Sequence, residues 1–309
     1  MGIGRSPWHS AIFAALLVFA WPTASTSWAQ DNTPANPAVP PDAATAVSSA
    51  PRLNLIDRQR MLAEMLAKAL CFIDLKVDKK VHRNQMSVAQ YVFHSTLEHL
   101  NEGSAGLELA AEHHPELKKA IEDIKLSWVN YAEPLNSWTG GRWGKAQFAI
   151  KVYEVDEAYE KQLSEAIALY RKVLVDAGSV TQDAAAAILA AGKQRTLTQQ
   201  FSKQFCQALS GYKTEVTRDN LKQSLALYKD VTKKFVAGAK ELGLTEDQPG
   251  LVLDNIELAQ ATFAKIEPIL ISALDGNMPT LEELSLVATA NVELLRHWEK
   301  IVSTYVLLN

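Results

Sequence analysis

The sequence from Arg52 onward predicts an all-α protein. Apolar residues recur at spacings of three and four through almost all of this part of the chain, a pattern typical of amphipathic helices. Runs that alternate apolar and polar residues, which would indicate β-strands, are missing. An internal repeat, described below, predicts that the helices form two tandem four-helix-bundle modules.

The segment from Met1 to Ala29 has the pattern of a signal peptide. Arg5 provides a basic start, an apolar run extends from Ala11 to Ala20, and residues 27–29 form a small-x-small cleavage signal. This run is about half of the roughly 20 residues needed to cross a bilayer, and later apolar segments are interrupted by charges. We expect cleavage after Ala29 and a periplasmic or secreted protein without a membrane span. An uncleaved N-terminal anchor is the alternative.

Residues 30–51 separate the signal peptide from the first predicted helix. They are rich in Pro, Ala, Ser and Asn and have no apolar periodicity, which predicts a disordered linker. The whole chain carries a formal net charge of -4. Because a mildly acidic protein is repelled by phosphate backbones, we expect no nucleic-acid partner.

Eight helices are predicted from the apolar periodicity. Glycines fall in the gaps between them, and Thr181, Thr217 and Thr280 stand where N-caps are needed. The predicted helices are Leu53–Lys76, Ser87–Asn101, Pro115–Leu135, Lys145–Ala177, Thr181–Leu209, Thr217–Leu242, Leu251–Leu274 and Thr280–Leu307.

The predicted helices contain an internal repeat. Arg58–Cys71 aligns without a gap with Lys193–Cys206, at a constant offset of 135. A second match, between Val129–Leu135 and Phe263–Ile269, has an offset of 134 and contains a Glu-Pro pair in each copy. Two matches at nearly one offset predict two modules, residues 52–178 and 179–309. The identical positions of the first match are Gln59 and Gln194, Arg60 and Arg195, Leu62 and Leu197, Lys68 and Lys203, and Cys71 and Cys206.

The first copy of the repeat resembles the opening helix of a known sensor domain. Ile56–Leu62, followed by Ala67 and Lys68, is similar to the N-terminal domain of type IV pilus methyl-accepting chemotaxis transducers, the PilJ-type domain. That domain is related to the periplasmic domain of nitrate/nitrite sensor histidine kinases, the NarX-like domain. The family motif usually continues as Ser-Gln-Arg, whereas residues 63–65 are Ala-Glu-Met and residues 198–200 are Thr-Gln-Gln. A second motif arginine is therefore missing from both copies.

The resemblance implies a ligand site at Arg60 and Arg195. In the nitrate-sensor relatives, two identical modules pair with their first helices parallel, and the matching arginines grip one anion across the two-fold axis. Because both copies lie in one chain here, the resemblance implies an internal pseudo-dimer that binds a nitrate-like or nitrite-like anion. Planar guanidinium groups suit such an oxyanion through paired hydrogen bonds. The alternative is a common surface pair between Arg60 and Glu64, one helical turn apart.

Four further polar positions accompany the two arginines. Gln59 and Gln194 precede them in the motif, and Glu64 and Gln199 follow about one turn later. We expect these side chains to support the site. Glu64 also carries the charge needed to fill the anion's place from within the chain, whereas Gln199 is neutral and would not compete.

Cys71 and Cys206 are the only two cysteines and occupy matching positions of the repeat. In an exported protein, two such residues are candidates for a disulfide. Equivalent positions meet across a pseudo-two-fold axis when the two first helices run parallel, as the resemblance implies. We therefore expect a Cys71–Cys206 bond; two buried free thiols are the alternative.

Residues 136–144, which contain Trp138 and Trp143, have no counterpart in the second copy. A loop with two tryptophans is a candidate docking surface for a partner protein. Tryptophans also commonly close the end of a helix bundle, and the sequence leaves both interpretations open.

The sequence offers no motif for catalysis or for a cofactor. The histidines that remain after cleavage lack Glu-x-x-His and His-x-x-x-His spacing, which argues against a zinc or di-iron site. Gly-x-Ser-x-Gly, Walker and dinucleotide-binding motifs are also missing. We therefore expect a non-enzymatic protein with no catalytic residue, metal or cofactor.

The signal-peptide pattern and the resemblance to sensor domains together imply a periplasmic protein that senses a small oxyanion. Neither module is followed by a transmembrane helix, a kinase region or a coiled coil, so we expect a membrane-bound partner to carry the signal. One alternative is an envelope protein–protein interaction module that has lost ligand binding. Another is a bundle that carries a cofactor.

Overall fold

The computed structural model describes residues 49–139 and 145–309. Within them the chain forms eight α-helices and two short 3-10 turns without a β-strand, which confirms the predicted all-α class. The predicted signal peptide, residues 30–48 of the predicted linker and residues 140–144 lie outside the described residues. The helices are α1 (Ser49–Asp74), α2 (Lys79–Glu102), α3 (Pro115–Thr139), α4 (Lys145–Asp176), α5 (Gln182–Leu209), α6 (Thr214–Val236), α7 (Gly250–Leu274) and α8 (Leu281–Leu307).

Helix α1 begins at Ser49, inside the predicted linker. Pro51 occupies its first turn, where a missing N–H costs little because the first N–H groups of a helix have no partner. Arg52 follows and anchors this end: its guanidinium donates to the Glu112 carboxylate at 2.9 Å and to the Leu100 carbonyl oxygen at 3.1 Å. This buried pair ties the start of α1 to the loop before α3.

Helix α2 begins at Lys79, well before the predicted start at Ser87. The apolar face continues through the buried His82 and Met86, which stand one turn apart. Four polar residues, Lys79, Lys80, Arg83 and Asn84, surround these two positions and dilute the apolar pattern. The apolar periodicity of the sequence therefore predicts only the second part of this helix.

Two of the three predicted N-caps are confirmed. Thr181 accepts a hydrogen bond from the Ala184 N–H at 3.1 Å, and Thr280 forms a capping box with Glu283. The prediction for Thr217 is wrong, because α6 already begins at Thr214 and the Thr217 hydroxyl donates to the Tyr212 carbonyl oxygen.

Helix α6 also ends at Val236, well before the predicted end at Leu242. Gly238 follows with a φ of +62°, and a Cβ there would lie 2.4 Å from the Thr245 carbonyl oxygen. Only glycine fits this close turn of the backbone. The chain then forms the 3-10 turn Lys240–Leu242 before α7.

The backbone repeats with the same offset as the sequence. The starts of α2 and α6 are separated by this offset, and so are the starts of α3 and α7 and the two 3-10 turns, Ala105–Leu107 and Lys240–Leu242. The described chain packs as one compact unit, so the module boundary between residues 178 and 179 remains a prediction from the repeat. Positive φ angles recur at the same offset in Lys76 and Gly211, Asp78 and Lys213, Gly103 and Gly238, and Glu108 and Gly243.

Helices α1 and α5 form a central seam. Helix α1 packs against α2 and α4, α5 packs in the same way against α6 and α8, and the two seam helices contact each other. Equivalent residues meet at two places along the seam: Asp57 lies beside Gly192, and Cys71 is bonded to Cys206. Because both meetings follow the same order along each helix, α1 and α5 run parallel.

Candidate functional site on the helix seam

A disulfide joins the two seam helices near their carboxyl ends. Cys71 and Cys206 are bonded, with their Cα atoms 6.0 Å apart, and both residues are buried. The predicted disulfide is confirmed, and the alternative of two free thiols is wrong. Disulfides persist mainly in oxidising compartments outside the cytoplasm.

The two motif arginines meet at one carboxylate on the seam. Arg60 Nη2 lies 2.5 Å from Asp57 Oδ1, and Arg195 Nη2 lies 3.1 Å from Asp57 Oδ2. Arg195 has no exposed surface, and the Asp57 side chain is 1 % exposed. The structure thus brings the two predicted arginines together, with an internal carboxylate where the resemblance implied an external oxyanion.

Gly192 makes room for this carboxylate. It occupies the position of the second copy that matches Asp57, and a Cβ placed on it would lie 1.9 Å from Asp57 Oδ2. Any other residue at this position would displace the carboxylate or separate the helices. The repeat is therefore asymmetric here: one copy supplies the acid and the other supplies the space.

A second carboxylate contacts Arg195. Glu299 on α8 accepts from Arg195 Nη1 at 2.9 Å and lies 3.3 Å from Arg58 Nε. Burial alone would raise the pKa of Glu299, but the positive charges of Arg195 and Arg58 outweigh burial and lower it. The pKa of Arg195 is raised, because Glu299 and Asp57 outweigh the effect of its own burial.

Glu64 does not take the anion's place, and the alternative pair between Arg60 and Glu64 is not formed: Arg60 pairs with Asp57. Its carboxylate instead lies 2.6 Å from Lys203 Nζ, which also contacts Asp156 on α4. Burial raises the pKa of Glu64 to about 8, although the charge of Lys203 opposes this shift. Lys203 therefore contacts two carboxyl groups, and the one on Glu64 has a pKa that favours its protonated form at neutral pH.

The predicted supporting glutamines donate hydrogen bonds to backbone and hydroxyl oxygens. Gln59 donates to the Leu55 carbonyl oxygen of its own helix, and Gln199 donates to the neighbouring Thr198 hydroxyl. Gln194 joins α5 to α6 by donating to the Tyr228 carbonyl oxygen at 2.9 Å. All three residues are fully buried. Their observed hydrogen bonds stabilise helices and helix contacts.

The repeated lysines cross the seam in a matching way. Lys203 of the second copy reaches Asp156 on α4, and Lys68 of the first copy donates to Asn291 Oδ1 on α8 at 2.6 Å. Asp156 and Asn291 are themselves separated by the offset of the repeat. Each lysine thus binds the last helix of the other copy, a pairing that we did not anticipate from the sequence.

An open groove borders the cluster at Arg60. It has a volume of about 590 Å³ and is lined mainly by α4 and α5, and its basic lining residues are Arg60, Arg171, Lys172 and Lys193. Burial and the charge of Arg60 both lower the pKa of Lys193. Arg60 is thus the one motif arginine that reaches a groove, whereas Arg195 is enclosed.

No protein-family model matches this chain, and comparisons with curated proteins and with solved structures give no match either. Across residues 49–139 and 145–309, no helix has the length and apolar character needed to span a membrane. The same residues contain no group of three or more His, Cys, Asp or Glu side chains placed to hold a metal ion. The resemblance to sensor domains therefore still depends on the motif residues of α1 and α5.

Proposed function

We propose that this chain is a non-enzymatic extracytoplasmic binding protein, built like a PilJ-type pseudo-dimer. In this proposal Arg60 and Arg195 bind internal carboxylates and hold the seam helices together, an arrangement that we call the arginine lock. The observation that carries the proposal is the Asp57 carboxylate, which takes hydrogen bonds from Arg60 and Arg195 together. The signal-peptide pattern of residues 1–29 and the Cys71–Cys206 bond support export to an oxidising compartment such as the periplasm.

Simple energetics favour the internal carboxylate over a free anion. An oxyanion that replaced Asp57 would leave a buried carboxylate without a partner, which costs about 3–5 kcal/mol. A millimolar affinity corresponds to only about 4 kcal/mol. The two figures nearly cancel, so the wild-type seam offers little net gain to nitrate or nitrite.

The internal carboxylate favours the interaction module over the oxyanion sensor as the role of the chain. A membrane-bound signalling partner would then respond to contact with the bundle and not to anion occupancy at the seam. Within the described part of the chain, Arg58, Arg60 and Arg195 form ion pairs with two carboxylates, Asp57 and Glu299. These five side chains therefore carry one excess formal positive charge.

That excess charge supports oxyanion sensing as a second candidate. Arg60 lines the open groove, as do Lys193 and Arg171, so a small anion would reach it without displacing Asp57. In this second candidate function, the anion binds on the groove side of Arg60, and Arg195 keeps its hydrogen bonds to Asp57 and Glu299.

Substituting Asp57 separates the two candidates. We expect no nitrate or nitrite binding to the wild-type chain by calorimetry. Asp57→Asn removes the internal charge, so nitrate should now bind, and an excess of roughly tenfold over its Kd should stabilise the variant by about 1.4 kcal/mol. Arg60→Ala or Arg195→Ala, added to Asp57→Asn, should abolish this stabilisation.

Glu64→Gln is the matched control, because it replaces a second buried carboxyl group of the same helix that contacts Lys203 instead of the arginines. It should not create nitrate binding. Nitrate binding to the wild type that disappears in both single arginine variants would show an oxyanion sensor and contradict the lock. Nitrate binding that is lost in Arg60→Ala but kept in Arg195→Ala would support an anion site in the groove.

A further inference from the structure

A polar cleft lies between the last helix of the first copy and the first two helices of the second copy. Helices α4, α5 and α6 enclose about 410 Å³, within the range of roughly 300–1,000 Å³ that is typical of small-molecule sites. Its floor contains the Lys203–Asp156 ion pair, so the charges at the bottom are already matched.

The walls of the cleft carry side-chain amides at helical spacing. Gln200, Gln204 and Gln207 follow each other along one face of α5, and Asn220 and Gln223 line it from α6. Each amide offers both a donor and an acceptor. Such walls suit a ligand that is rich in polar groups along its whole length.

The matching positions of the first copy are apolar. At the offset of the repeat, Gln200, Gln204 and Gln207 correspond to Met65, Ala69 and Phe72. Ala69 and Phe72 are fully buried, Met65 packs against the core, and Phe72 stacks on the His82 ring at 4.9 Å. The first copy thus fills this region with its core, whereas the second copy keeps a polar opening.

One amide of the cleft lacks a partner. Gln204 is only 6 % exposed, and its Oε1 atom is buried without a hydrogen bond. Buried polar atoms in native proteins are nearly always paired, so an orphan calls for a missing partner. A ligand that donates an N–H to Gln204 Oε1 would satisfy it.

The cleft presents charges of both signs beside the amides. Glu157 and Glu160 line it from α4, while Lys193 on α5 and Lys213 at the start of α6 bring ammonium groups. Glu160 and Lys193 are loosely paired at 3.9 Å. A ligand with a single charge would meet repulsion from half of these groups, whereas a zwitterion finds a counter-charge for each end.

We infer that this cleft binds a free amino acid or a short peptide in its zwitterionic form. The ligand ammonium would lie near Glu157 or Glu160, its carboxylate near a lysine, and its remaining polar groups along the amide row with a donor to Gln204. The inference rests on the proposed binding function but not on the arginine lock, since nitrate and amino-acid titrations succeed or fail separately.

The test is calorimetry and thermal shift on the intact, oxidised chain with the common L-amino acids and with Ala-Ala and Gly-Gln dipeptides. At least one of these probes should bind. Its N-acetylated and C-amidated derivatives should bind about tenfold more weakly or worse, because each loses one charge-assisted contact. No binding by any of these probes, or binding of neutral sugars such as glucose and N-acetylglucosamine in their place, would overturn the inference.

Two variants locate the site. Gln204→Met keeps the side-chain length and removes the orphan oxygen, so the melting temperature should not fall while affinity for the bound probe drops about tenfold. Glu157 is exposed at the rim of the cleft. Glu157→Gln should weaken binding of the free amino acid and leave the affinity for its N-acetyl derivative unchanged. Met65→Leu, at the first-copy position that matches Gln200, is the control and should leave binding unchanged. Unchanged affinity in both cleft variants would place binding elsewhere and refute the assignment.

Discussion

Gly192 sets how closely α1 and α5 approach at the arginine cluster. Replacing a helical glycine by alanine usually stabilises a protein by up to about 1 kcal/mol. Here the new Cβ would lie 1.9 Å from Asp57 Oδ2, so we expect Gly192→Ala to destabilise by about 1–3 kcal/mol through overpacking. Urea unfolding followed by circular dichroism measures the change.

Gly250→Ala is the control for this prediction, because a Cβ at Gly250 meets nothing within 4 Å. It should be neutral or slightly stabilising. Combining Gly192→Ala with Asp57→Asn should cost less than the sum of the two single changes, since both disturb one contact. Equal stability of Gly192→Ala and the wild type would show that the seam does not require glycine.

Lys68 makes stability depend on pH at its buried contact with Asn291. Burial lowers its pKa from 10.5 to about 7. Between these values the unfolded chain binds more protons than the folded chain, so this lysine's contribution to stability rises as the pH goes up from 7 to 10.5. We expect Lys68→Met to remove this rise, a difference on the order of a few kcal/mol across the window.

Unfolding free energies of wild type and Lys68→Met, measured at several pH values between about 7 and 10, test this prediction. The advantage of the variant should be largest near the lower end of this range and should shrink with rising pH. Lys222→Met replaces an exposed lysine and should leave the shape of the curve unchanged. A difference in unfolding free energy between wild type and Lys68→Met that stays constant with pH would contradict a buried, titrating ammonium group.

Individual residues of the site were predictable to different degrees. Arg60 and Arg195 stood out because they are identical at matching positions of the repeat. Asp57 did not, because its counterpart is glycine, and an alignment marks such a position as unconserved between copies. Glu299 could not be predicted for a different reason. The partner of a buried arginine depends on which helix packs against it, and the apolar periodicity of the sequence does not give this information.

At the scale of elements, capped helix ends were easier to predict than uncapped ones. Thr181 and Thr280 begin α5 and α8 as expected, because a threonine cap directly precedes an apolar pattern. Helices α2 and α6 begin without a side-chain cap, after Asp78 and Lys213 in the left-handed conformation. Left-handed aspartate and lysine give no clear sequence signal, so the apolar pattern predicts both helices to start later than they do.

The disulfide between α1 and α5 should contribute strongly to stability. It closes a loop of 135 residues, for which the loss of chain entropy in the unfolded state corresponds to about 4–5 kcal/mol as an upper figure. We expect reduction to lower the free energy of unfolding toward that extent while the helical content of the folded chain stays nearly the same. Urea titrations of the oxidised and reduced chain, read by circular dichroism, give the difference.

A Cys71→Ala and Cys206→Ala double variant controls for direct effects of the reductant, and its urea midpoint should not respond to reduction. Thiol titration of the denatured, unreduced wild type should find no free thiol. Two titratable thiols, or identical unfolding curves before and after reduction, would contradict a bond that stabilises the seam.

At the scale of the whole molecule, the duplication was visible in the sequence and the contacts between the copies were not. The offset of the repeat predicts helix order and recurs in the turns and left-handed residues of the backbone. The crossed contacts, Lys203 with Asp156 and Lys68 with Asn291, depend on how α4 and α8 wrap around the seam. Such long-range pairings follow from tertiary packing and cannot be inferred from local patterns.

The disulfide also has a consequence for assembly. Helix α4 ends at Asp176 and α5 begins at Gln182, so a short connection links two copies whose seam helices fit one another. Proteins of this kind are prone to exchange halves between chains, since α1 of one molecule offers α5 of another the same surface as its own. Once Cys71 and Cys206 are bonded within one chain, neither half is free to leave. Oxidation thus keeps each pair of copies in the same molecule at any protein concentration.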